Sequence, residues 1–409
     1  MFLTQTILFI LNIFLDLIYI AAFPILSLIW RDPISNERLG LYPPKLNKPI
    51  WIHAASVGEV NAIIPLLNEL LNIGKPIFIT TTSRTGRKRV KDLNLPVTIQ
   101  LLPLDIRLIT WSFMHKLKPS MLLIVETEIW PNLLLAAINH KVPVGWVNAR
   151  IAKSSVEYLN IFKFVFKPLF QKISFVSAQT GVDTRRFRKL GFSNVTTAGN
   201  LKFCLNLKVH DPNKIKQRYG IDSSDFVIVW GSSRPGEEEL LIKILPRLEA
   251  EIKDIKTIVV PRHLNRMEDV CKVLGPIPFT LFSKHDGFNY KLLTVDKMGV
   301  LTELYSIADI AIIGGSFRDF GGHNPLEAAF YGKPIIIGPY YTSCRGSVRA
   351  LKHKHAILFS DEDKLFDDIM NLYNNESTRK LMGDNAKKTL EVNCQSLSNN
   401  LTSIKKLLI

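Results

Sequence analysis

Gly314-Gly315-Ser316-Phe317-Arg318-Asp319-Phe320-Gly321-Gly322-His323-Asn324-Pro325-Leu326-Glu327 is the stretch that decides the fold of this 409-residue chain. The apolar run Ile310–Ile313 before it reads as a buried strand that stops at the first glycine pair. The second pair leads into Asn-Pro-Leu-Glu-Ala-Ala. Asn324 suits a helix N-cap, Pro325 the first helical position and Glu327 the third. Strand, glycine loop and capped helix present free backbone N–H groups to an anion. The expectation is a bound phosphate at this loop.

The same rhythm runs outward along the chain. Residues 50–55, 76–82, 97–102, 121–125, 142–147 and 173–178 read as strands, with helical patterns such as 59–71 and 130–139 between them. After a polar stretch around 208–217 the rhythm restarts with 226–230, 257–260, 279–282, 310–313 and 334–337. Continuous apolar strands separated by helices predict parallel sheets covered on both faces. The expected class is α/β: two Rossmann-like, doubly wound domains that face each other across a cleft, with ligands beyond the carboxyl ends of the strands. The expected division is an anchor at 1–30, a first domain at 31–205 and a second at 206–409 that includes the C-terminal helices.

Composition narrows the function. Lys plus Arg number 52 against 36 Asp plus Glu, a formal charge of +16 that favours an anionic partner. Cys204, Cys271, Cys344 and Cys394 form no CxxC pair, so neither a disulfide framework nor a zinc site is expected. No GxGxxG fingerprint, Walker A sequence or nucleic-acid motif occurs. The acidic triplet Asp361-Glu362-Asp363 reads as a helix start and not a metal cage. From Phe2 to Trp30 the only charged side chain is Asp16, a length sufficient to span a bilayer core or to lie along its surface. Arg31, Arg38, Lys45 and Lys48 follow it and none precedes it, which puts the body on the cytoplasmic side of the membrane.

Several strand ends carry chemistry. In His53-Ala54-Ala55-Ser56-Val57-Gly58-Glu59 a tight turn opens a helix, and Glu59 reads either as a base for a hydroxyl or as a dipole-complementing acid. Glu126 and Glu128 follow the strand 121–125, where extended backbone would aim both to one side. Thr80–Gly86 is a hydroxyl-rich loop, Lys202 stands in Gly-Asn-Leu-Lys-Phe at the end of the first domain, and Gly231–Glu239 repeats the strand–loop–helix logic. Arg262 and His263 end another strand, and arginine is a natural phosphate or carboxylate partner.

Taken together, HAASVGE at 53–59, ETEIWPN at 126–132, NARIAKSS at 148–155, GNLKF at 199–203, PRHLNR at 261–266 and GGHNPLEAA at 321–329 resemble the 3-deoxy-D-manno-octulosonic acid (Kdo) transferases of lipopolysaccharide assembly. The resemblance covers nearly the whole chain. It implies the GT-B glycosyltransferase fold and inverting transfer of Kdo from CMP-Kdo to a lipid A precursor (lipid IVA), with no metal and no cofactor. It further implies attachment to anionic lipid at the bacterial inner membrane through a signal-anchor, and no nucleic-acid partner. By motif, Glu59 would be the general base, and Glu126 and Lys202 would steady the transition state. Pro261, Arg262, Met298, Gly299, Val300, Asn324, Pro325, Leu326 and Glu327 would bind CMP. Ser56, Gly58, Ser233, His263, Gly321, Gly322 and His323 are further candidate substrate contacts. Two departures stand out: Val300 where relatives often carry glutamate after Met-Gly, and Arg234 where a histidine is common.

Overall fold

The computed structural model describes residues 33–205, 207–284 and 290–408. They form two compact units. The first holds the described residues up to Cys204 and those from Asn393 onward; the second runs Leu205–Val392. The end of the chain, expected with the second domain, therefore belongs to the first unit. The apolar stretch 2–30 expected as an anchor lies outside the described residues. Among the described residues no helix is long and apolar enough to cross a membrane.

The first unit is built on β1 (Ile50–His53), β2 (Ile77–Thr81), β3 (Thr98–Leu101), β4 (Met121–Val125), β5 (Val144–Ala149), β6 (Phe175–Ala178) and β7 (Val195–Thr197). They pair in parallel in the order β3-β2-β1-β4-β5-β6-β7, with Ile50 opposite both Ile77 and Met121. The two-residue period of a strand sorts the side chains onto two cores. Trp51, Phe78, Leu122, Ile124 and Trp146 pack on one face. Ile50, Ile52, Ile77, Ile79, Met121, Leu123 and Val125 pack on the other. The helix Val57–Leu71 lays Val60, Ile63, Leu66, Leu67 and Leu70 onto this second face, at helical spacing. Ile404, in the long C-terminal helix Glu376–Leu408, is fully buried in the same core.

The second unit holds β8 (Phe226–Ser233), β9 (Ile255–Pro261), β10 (Thr280–Leu281), β11 (Leu292–Thr294), β12 (Ile310–Ile313), β13 (Ile335–Ile337) and β14 (Ile357–Phe359). Their order is β10-β11-β9-β8-β12-β13-β14, again with parallel pairing. Trp230 and Phe317 centre its core, with ring centroids 5.5 Å apart. Three strands beyond those expected complete the sheets: β7, β11 and β14, each three residues long.

In each sheet the winding direction reverses once, between β1 and β4 and between β8 and β12. Crossover connections part there, leaving a crevice beyond the strands' carboxyl ends. The turns that meet at those points are 53–59 with 126–128, and 231–239 with 314–327. The topology thus places at the two switch points the motifs singled out by sequence.

Candidate active site

At the first switch point, β1 ends at His53 and the chain enters the helix Val57–Leu71 through Ser56, extended at φ −127° and ψ 166°. The Ser56 hydroxyl accepts from the Glu59 N–H at 3.4 Å and donates to Glu59 Oε1 at 3.4 Å. Glu59 Oε2 accepts the Ala55 N–H at 2.6 Å. This is capping-box chemistry, so the helix-start role of Glu59 is real. It coexists with an unusual titration. Burial pushes the Glu59 carboxyl up to about 7; the Ala55 N–H opposes this, and the charges of Glu128 and Glu126 add to it. A carboxyl group balanced between its two forms near neutrality suits general-base work. Ser56 and Gly58 are exposed beside it.

The two acids after β4 do not share a face. The strand ends at Val125 and the chain turns at Glu126, whose φ is +56°, so strand alternation stops before it reaches them. Glu126 is 2% exposed. Its Oε1 receives Lys202 Nζ at 2.9 Å and its Oε2 receives Arg150 Nε at 2.7 Å. Lys202 sits on the short turn Leu201–Phe203, which Asn148 holds by accepting the Leu201 N–H at 2.9 Å. A buried carboxylate thus fixes two partly exposed cations. Arg150 was not singled out by sequence. Its signal is its place just past the end of β5, the strand that pairs with β4.

Glu128 takes another environment. Its Oε2 accepts the Trp130 indole N–H at 2.9 Å and lies 3.7 Å from His53 Nε2, an ion-pair distance rather than a hydrogen bond. The His53 ring, aided by Trp130, holds the Glu128 carboxyl below its usual range against the effect of burial. Glu128 therefore stays ionised and keeps a negative charge near Glu59.

The second switch point corrects the opening expectation. The N–H groups of Gly315, Ser316 and Phe317 do not stand free: all three donate to the Glu237 carboxylate, at 2.8, 3.0 and 2.9 Å. The Arg234 N–H joins them at 2.9 Å. The anion in the glycine loop is the protein's own. Glycine is required at 314 because a β-carbon there would lie 2.3 Å from the Ser232 carbonyl oxygen. The next helix starts at Leu326, one residue later than expected. Pro325 holds the cap position, and the Asn324 side chain accepts the Leu326 N–H at 3.3 Å.

Positive charge gathers nearby. Burial, then Arg262, Arg234 and His263, push the His323 imidazole down to about 4. His263, exposed, is lowered by desolvation and by Arg234, Arg262 and Arg266. Among the described residues, His323 Nε2 and Arg234 Nε are buried without a hydrogen-bond partner. Arg262 is exposed at the end of β9, after the buried Pro261. Glu327 is raised by burial and lowered by Arg262, which places it beside the same cluster. Gly321 and Gly322, at φ +80° and +70°, carry the chain into His323.

Other candidates lie elsewhere. The Ser233 hydroxyl is fully buried and donates to Glu238 at 2.8 Å, so it faces the core rather than a ligand. Arg266 pairs with Glu238 at 3.3 Å. Met298 is 62% exposed and Gly299 has φ +85°, while Val300 is buried at the start of the helix Leu301–Ile307.

Comparison with known proteins places this geometry. The family model described as 3-deoxy-D-manno-octulosonic-acid transferase (kdotransferase) matches residues 35–205, and that of the glycosyl transferases group 1 matches 290–389. A 3-deoxy-D-manno-octulosonic acid transferase of Haemophilus influenzae is 30% identical over 386 residues, covering 90% of each chain. A bifunctional glycosyltransferase/methyltransferase of Fusobacterium nucleatum is 36% identical over 305 residues, covering 71% of this chain but 47% of that relative, so the chain spans about half its length. Among solved structures, a glycosyltransferase from Rickettsia africae superposes with a TM-score of 0.55 at 15% identity, over 88% of this chain and 99% of that one, a likeness of fold. Two parallel doubly wound sheets, these relatives and the strand-end motifs agree: the chain has the GT-B glycosyltransferase fold and belongs to the 3-deoxy-D-manno-octulosonic acid transferase family.

Proposed function

We propose that this chain transfers Kdo from CMP-Kdo to a lipid A precursor of the lipid IVA type, with inversion at the sugar carbon and release of CMP. An acceptor hydroxyl attacks that carbon. Glu59 takes the hydroxyl proton as the new C–O bond forms. The bond to the CMP phosphate breaks, and its electron pair leaves with the phosphate oxygen. Arg262 and Arg234 receive the departing negative charge, the neutral His323 imidazole donates an N–H to it, and Lys202 and Arg150, held by Glu126, meet the anionic groups of the substrate. A single phosphate leaving group can be stabilised by such cations alone, which is the basis for expecting metal-independent transfer. The net charge of +16 suits a phosphorylated lipid acceptor at an anionic membrane surface, and the apolar stretch 2–30 suits an inner-membrane anchor.

The observation that carries this reading is Glu59: a carboxyl group at the switch point, held by the Ala55 N–H and titrating near 7. Purified protein incubated with CMP-Kdo and lipid A precursor should yield a Kdo-bearing lipid by mass spectrometry. Glu59→Ala should lower turnover by about 10²–10⁴-fold while CMP binding persists. Wild-type turnover in that variant would refute the base assignment. Turnover of UDP-sugars with none of CMP-Kdo would refute the donor.

A further inference from the structure

We propose that Glu237 is a positioning residue for the donor phosphate: its buried carboxylate gathers the Gly314–Phe317 loop and the Arg234 backbone into one cradle, and so sets Arg234 and His323 where the phosphate binds. The proposal rests on the donor reading above. Glu237 is fully buried, and its two oxygens are matched by four backbone N–H groups from two strand ends. A buried carboxylate is tolerated only with such compensation. Oε1 serves Ser316 and Phe317, and Oε2 serves Gly315 and Arg234. The carboxylate therefore ties the end of β8 to the end of β12 across the point where the sheet reverses.

The tie also reaches the Arg234 and His323 side chains. A β-carbon built on Gly315 would stand 3.0 Å from the His323 ring and 3.4 Å from Arg234 Cγ. The braced loop is thus the floor against which both side chains rest. Ser316 extends the bracing to the segment just past β13, where its hydroxyl accepts the Gly338 N–H at 2.8 Å and its carbonyl accepts the Tyr340 N–H at 2.9 Å. A loop so fixed leaves Arg234 Nε and His323 Nε2 as buried polar atoms without a partner among the described residues. Groups in that state are what an incoming phosphate oxygen can satisfy.

Glu237→Gln tests this. The amide keeps one acceptor oxygen and turns an NH₂ group toward two of the four N–H groups. Calorimetric titration with CMP should give a dissociation constant raised by about tenfold or more, with KM for CMP-Kdo raised alike and KM for the lipid acceptor unchanged. Glu237→Asp, which keeps the charge but shortens the reach, should fall between. Glu239→Gln, on the exposed neighbour, should match wild type. Either Glu237 variant, folded by circular dichroism yet binding CMP within twofold of wild type, would overturn the proposal. So would equal rises in donor and acceptor KM, the mark of a purely structural role. Absence of CMP binding in the wild type would instead remove the donor reading, and this proposal with it.

Discussion

At the scale of the residue, Glu59 shows how one side chain closes a helix and carries a reaction. The Ala55 N–H and the Ser56 hydroxyl fix its position. Burial raises its folded value to about 7 from the ordinary 4.5. The folded chain therefore binds a proton at Glu59 that the unfolded chain releases between those two values. Stability falls as pH rises through that window and stays lower above it. Glu59→Gln removes the cost of ionising there. At pH 8 the variant should be more stable than wild type by about 1–2 kcal/mol, allowing for solvent screening at a partly exposed group, and near equal at pH 5. Urea midpoints at both pH values measure this, and an equal shift at both would contradict it. The rate should move the other way. Only the ionised form accepts a proton, so kcat/KM should climb with pH through about 7.

At the scale of the element, two strand ends and one short turn build a charge network. Glu126 leaves β4, Arg150 leaves β5, and Lys202 comes from the turn Leu201–Phe203. Glu126 is nearly inaccessible, so it needs at least one cation. Removing Lys202 leaves Arg150, and the reverse. Lys202→Ala and Arg150→Ala should each cost about 1 kcal/mol of stability, and the double variant about 1 kcal/mol more than their sum. A denaturant-based double-mutant cycle with zero coupling would show that the pair does not share Glu126. The network also marks the limit of sequence reading. The sheets were legible because doubly covered parallel strands are continuous apolar runs. β7, β11 and β14 were not, being three residues long; β7 is moreover exposed at two of its three positions. The strand-end motifs were legible as sites, but their partners were not. Arg150 meets Glu126 only because β5 pairs with β4. Glu237 reaches Gly315 across 78 positions only because β12 pairs with β8. Local pattern contains no record of such crossovers.

At the scale of the whole molecule, the chain leaves the first unit after Cys204 and returns to it at Asn393. The returning segment belongs to the core that supports the candidate base. Ile404 is fully buried on the face that carries Ile52, Leu123 and the helix Val57–Leu71. Leu397, Leu401, Leu407 and Leu408 pack partly buried against it. Asn399 donates to the Ala198 carbonyl at 3.2 Å, and Cys204 Sγ to the Cys394 carbonyl at 3.0 Å. Asn400 accepts the Asn148 N–H at 3.4 Å, next to the β5 end that carries Arg150. Each buried aliphatic side chain contributes about 1.5–3 kcal/mol, and a domain's net stability is about 5–15 kcal/mol. A chain ended after Val392 should therefore lose most of the first unit's stability while retaining all the residues assigned to chemistry. The core of the second unit takes no buried residue from the missing segment. Hydrogen exchange separates the two outcomes. Protection should collapse in β1, β4 and β5 and persist in β8 and β12, and Kdo transfer should be lost while CMP still binds. Undiminished protection in β4 and β5 would mean that the returning helix is dispensable to the sheet it covers.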